Sequence, residues 1–119
     1  MGHKGFLYLA LFLTVVIIIG SIIPLDNIAN IEFKWSDKLI HVVAYFMLTS
    51  LWFLSFNLKI NTKKLRLFIT TLVFSFGIII EVFQGTLTTL RQFDFLDIVA
   101  NFVGIILAFL AFQYFYKRN

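Results

Sequence analysis

Asp37, His41 and Tyr45 stand four residues apart, a spacing that stacks three polar side chains on one stripe of a helix, about two turns long. Glu81 and Gln84 follow at a spacing of three, and Asp94, Asp97 and Asn101 at three and four, with Arg91 just ahead of them. A carboxylate beside an imidazole can hold and move a proton. An arginine among amide and phenol groups can hold a phosphate or carboxylate. These nine residues form the candidate ligand-binding pocket.

The elements that must position them are four very apolar segments, Gly5 to Ile23, Leu39 to Phe56, Leu65 to Phe83 and Phe95 to Tyr116. Each holds about 20 residues, the length that crosses a ~30 Å hydrocarbon core as a helix. The 119 residues are 61% hydrophobic and 13% charged, with a mean hydropathy of +0.95, far from the usage of water-soluble domains. The chain reads as a single all-α transmembrane domain over residues 1–119, an up-down bundle of four helices with short connections.

Charge is sorted along this pattern. All six acidic residues, Asp26, Glu32, Asp37, Glu81, Asp94 and Asp97, fall at the same ends of the segments. Lys4, Lys59, Lys63, Lys64, Arg66, Lys117 and Arg118 gather at the other ends, against Lys34, Lys38 and Arg91 on the acidic side. Seven basic residues against three place both termini in the cytoplasm, and the acidic ends outside. The expected location is a membrane crossed several times. The antiparallel arrangement brings the three polar helix ends to one depth, so the nine side chains can converge on an outward-facing pocket.

The formal charge of +4 does not indicate nucleic acid, because basic residues beside spans answer to the positive-inside bias and to anionic headgroups. With no cysteine, disulfides and thiolate chemistry are excluded. No cofactor is expected. Met1 to Lys4 followed by an apolar run resembles a secretory leader, but no small-x-small site follows, so an uncleaved first helix is expected; Phe6 argues against myristoylation at Gly2. Gly85 reads as the stop of the third helix, with Thr86 to Gln92 as the next loop.

Several of the polar residues have a structural explanation. Ser36 and Asp94 suit helix N-caps, with Asp37 and Asp97 as first-turn acids, and Tyr45 suits a core aromatic. Capping does not account for His41, Glu81, Gln84 or Asn101. Ionisable groups inside a span cost roughly 2.5–3.5 kcal/mol at mid-membrane, so they ordinarily face a partner or a wet cavity. Ala100, Gly104 and Ala108 repeat every four residues, a stripe of small side chains that lets another helix approach. Asp37-x-x-x-His41 and Asp97-x-x-x-Asn101 open the second and fourth segments alike, an echo of two related hairpins.

Taken together these motifs resemble the VanZ-like family of small bacterial membrane proteins, which takes its name from an accessory protein of teicoplanin resistance. The family pattern is Asp-Lys-x-x-His-x-x-x-Tyr, Glu-x-x-Gln, and Arg-x-Phe-Asp-x-x-Asp-x-x-x-Asn-x-x-Gly. Here it reads Asp37-Lys38-Leu39-Ile40-His41 with Tyr45, then Glu81-Val82-Phe83-Gln84, then Arg91-Gln92-Phe93-Asp94 with Asp97, Asn101 and Gly104. The match runs from about Trp35 to Leu110. Thr89-Leu90 stands where the family has Pro-Gly, and Ala108 where a second glycine is common. The resemblance implies a place in the bacterial cell envelope and an influence on glycopeptide susceptibility.

Three functions follow as expectations. The first is an envelope protein binding a lipid-linked cell-wall intermediate or a glycopeptide, with Arg91 on an anionic group and Gln84, Asn101 and Tyr45 on sugar or amide groups. The second is a membrane-embedded enzyme acting on a lipid headgroup, with His41 held by Asp37, or Glu81, as acid or base; a divalent cation on Asp37, His41, Glu81 and Asp97 is a variant without motif spacing behind it. The third is a structural helper of another membrane protein. The lipid bilayer is the common partner of all three.

Overall fold

Of the four helices in the computed structural model of this chain, two have the length and apolarity to cross a membrane. The structure describes residues 3–22, 34–56, 62–87 and 95–118. Within these lie α1 (His3–Ile22), α2 (Lys34–Leu54), α3 (Lys63–Leu87) and α4 (Phe95–Arg118). The helical class agrees with the apolar pattern. Lys63–Phe83 and Phe95–Phe115 each hold 21 residues of membrane-spanning character, whereas the apolar stretches of α1 and α2, Lys4–Gly20 and Lys38–Leu54, are shorter. By this measure the four expected spans become two.

Two boundaries differ from expectation. The second helix begins at Lys34, so Ser36 lies inside it rather than at its cap. The third runs on to Leu87, so Gly85 is a helical residue and not a stop. Both were local signals that the longer helix overrides, since glycine costs a helix only about 1 kcal/mol and serine is tolerated in a first turn. At the other end of α3 the cap is Thr62, whose Oγ1 accepts the Leu65 amide at 3.2 Å.

Some hydroxyls within the apolar helices are satisfied locally, whereas those of Thr49, Ser50 and Thr70 are buried without a hydrogen-bond partner among the described residues. Thr14 and Thr71 donate their hydroxyls to the carbonyls of Ala10 and Leu67, at 2.8 and 2.9 Å, the turn-back bond that removes a hydroxyl from an apolar surrounding. Ser55 closes α2 by donating to the Trp52 carbonyl at 2.7 Å.

The packing centres on α2, which meets each of the other helices and makes its largest interface with α4. Lys38 meets Asp97, His41 meets Asn101 and Phe53 meets Phe112, a constant register that makes α2 and α4 parallel. Their approach is set by Gly104, where an added Cβ would fall 2.2 Å from the Val42 carbonyl oxygen. Ala108 is fully buried on the same stripe, and Ala100 nearly so. The core holds Tyr45, Leu48, Phe53, Ile69, Val73 and Ile105, with Phe53 edge-on to Phe112 at 5.1 Å.

The outside of the bundle is apolar and part of its inside is polar. Phe12, Ile40, Phe68, Leu72, Phe102 and Leu110 are exposed, while Thr49, Arg66, Glu81, Asp97 and Asn101 are buried. Arg66, counted from the sequence among the basic residues beside the spans, lies buried in the first turn of α3.

Candidate functional site

At the end of the bundle where α2 and α4 begin, three helices contribute polar side chains to one place. Lys38 lies in the second turn of α2 and Asp97 in the first turn of α4. Their parallel register lets the Lys38 ammonium donate to Asp97 Oδ1 as an ion pair. Both side chains are mostly enclosed, with 17% and 12% of their surface exposed, so the pair is less screened than one on an open surface.

One turn further along, His41 Nδ1 lies 3.1 Å from Asn101 Oδ1. An amide oxygen only accepts, so in this arrangement Nδ1 carries the proton and donates. The other nitrogen, Nε2, points at Asp97 Oδ1 from 3.9 Å. Asn101 thereby orients the ring, and a second proton arriving on Nε2 would meet a carboxylate. This is the arrangement of a base with an orienting group and a charge partner.

Glu81 brings the third helix into the site. It is 1% exposed, and it lies one turn from Gly77 on the same face of α3. A Cβ on Gly77 would come within 3.1 Å of the Tyr45 ring and 3.3 Å of Asn101 Nδ2. The absence of a side chain there is what lets α3 close over Tyr45 and Asn101. Tyr45 is buried beneath, within electrostatic reach of both Glu81 and Asp97, and its ring leans on Phe76.

Of the nine residues expected at the pocket, His41, Tyr45, Glu81, Asp97 and Asn101 are placed together. Arg91 and Asp94 lie outside the described residues, as do the side chains of Asp37 and Gln84, whose backbones are helical. Two contributors were not singled out for the pocket. Lys38 is the observed counter-charge of Asp97. Gly77 could have been flagged as a lone glycine inside a long apolar helix, a position that often marks close packing. Among the described residues, no group of three or more histidine and carboxylate side chains forms a metal-holding cluster.

No family model matches this sequence, and neither the curated proteins nor the solved structures contain a significant match to it.

Proposed function

We propose that this chain is a VanZ-like protein of the bacterial cytoplasmic membrane, crossing it four times with both termini inside, and that its polar end binds a ligand outside the membrane. The observation that carries the reading is the inversion of polarity: exposed apolar surface on the helices, with His41, Glu81, Asp97 and Asn101 enclosed at one end. Water-soluble monomers rarely expose apolar patches beyond a few hundred Å², and carboxylates within a span ordinarily serve a site. The 17-residue apolar stretches of α1 and α2 sit at the short end of the spanning range of about 17–25. The seven-to-three distribution of basic residues supports the orientation.

A lipid-linked cell-wall intermediate or a glycopeptide offers what this site recognises, since both carry sugar and amide groups beside ionic ones. His41, Asn101 and Tyr45 supply hydrogen bonds, and Lys38 or Arg91 supplies positive charge. Expression in a glycopeptide-susceptible host should change tolerance to teicoplanin. His41→Ala and Arg91→Ala should abolish the change at equal membrane abundance, whereas full effect in both would refute ligand binding at this site.

The orientation of His41 between Asn101 and Asp97 favours one further reading, an enzyme using His41 as acid or base on a headgroup. His41→Gln keeps hydrogen bonding without a titrating nitrogen. It should preserve a binding function and eliminate a catalytic one.

A further inference from the structure

Further along the same face of α2, toward the end away from the polar site, a groove of about 370 Å³ opens between α1, α2 and α3. Thr14, Trp52, Phe56, Leu65, Phe68 and Phe76 are among the residues lining it. Its two polar atoms are engaged with each other, the Trp52 indole donating to Thr14 Oγ1 at 3.3 Å, so the walls offer hydrocarbon and nothing else. We infer that this groove holds one acyl chain of an anionic phospholipid, with the headgroup on Lys63 and Lys64.

Two features select this occupant. Along α3 the lining runs from Leu65 to Phe76, eleven residue steps and so about 16 Å of helix. That is roughly half of a ~30 Å hydrocarbon core, the depth of a single leaflet and the reach of a single lipid tail. The shallow end of the groove is Leu65, and the two residues before it, Lys63 and Lys64, are exposed. An ammonium group at this level strengthens binding of an anionic headgroup about fivefold per lysine. A partner helix would need a polar or small-residue seam that the walls lack, and it would leave the two lysines unused.

The inference rests on membrane insertion of the chain. The two can fail separately, because flotation with vesicles tests insertion alone. Trp52 lies in the groove and the chain's other tryptophan is Trp35, so the full chain carrying Trp35→Phe has one fluorescent reporter. In vesicles, phosphatidylglycerol brominated on its acyl chain should quench Trp52 at a mole fraction roughly tenfold or more below that needed with brominated phosphatidylcholine. Lys63→Gln with Lys64→Gln should bring the two lipids to about the same curve. Equal quenching by both lipids in the lysine-bearing chain overturns the headgroup assignment. No quenching by either, in protein that floats with the vesicles, shows that protein rather than lipid covers the groove and overturns the inference entirely.

Discussion

Gly104 of α4 faces the backbone of α2 so closely that a Cβ on it would lie 2.2 Å from the Val42 carbonyl oxygen. No side-chain rotation relieves a clash with backbone, so any substitution must push the two helices apart. Gly104→Ala is expected to destabilise the protein in detergent by about 1–3 kcal/mol, the usual cost of overpacking, and Gly104→Leu by more. Gly20 is the matched control, because nothing lies within 4 Å of its added Cβ. There alanine should be neutral or slightly stabilising, as expected from helix propensity. Thermal unfolding of the two alanine variants side by side checks the contrast.

The same interface carries the Lys38–Asp97 pair. Replacing Lys38 by Asp places like charges together and should cost roughly 1.5–3 kcal/mol, the range for a hydrogen bond to a charged group. The reversed pair, Lys38→Asp with Asp97→Lys, should recover part of that loss. Recovery is incomplete because the new lysine would also face His41 Nε2, which now lies 3.9 Å from the Asp97 carboxylate. A double variant as unstable as the sum of its parts would show that the two side chains do not interact.

His41, Glu81 and Asp97 come from three helices, and their effects should be coupled. Removing one leaves its neighbours enclosed without a proper partner, so combined alanine substitutions should cost less than the sum of the single ones. Strictly additive thermal shifts would mean independent structural roles. Gly77→Ala probes the same network from beside it. The added methyl, 3.1 Å from the Tyr45 ring and 3.3 Å from Asn101, should disturb ligand binding more than overall stability.

What the sequence disclosed about this arrangement follows from the range of each signal. The four helices were legible because each is a long apolar run, and the stripes His41–Tyr45 and Asp97–Asn101 because helical spacing is a local property. Ser36 and Gly85 misled for the same reason, since cap and stop signals compete with the continuing helix and lose at these two places. Lys38 was not placed in the pocket because it stands next to Asp37 and off its stripe. Its long side chain reaches Asp97 only through the register of α2 on α4, which no spacing within one helix encodes. The burial of Arg66 was equally hidden, because basic residues flanking a span usually remain in the headgroup layer, and only tertiary packing encloses this one.

The most direct test of an outward-facing polar site is reaction of single cysteines with an impermeant thiol reagent in intact cells, in a chain whose own cysteine count is zero. Thr88→Cys and His41→Cys should react from outside, His41→Cys more slowly because its position is mostly enclosed. Asn61→Cys, on the basic side, should react only after the membrane is permeabilised, and Thr49→Cys, fully buried two turns below His41, should resist in both states. Labelling of Asn61→Cys from outside, with Thr88→Cys and His41→Cys protected until permeabilisation, would contradict the orientation and put the site on the cytoplasmic face.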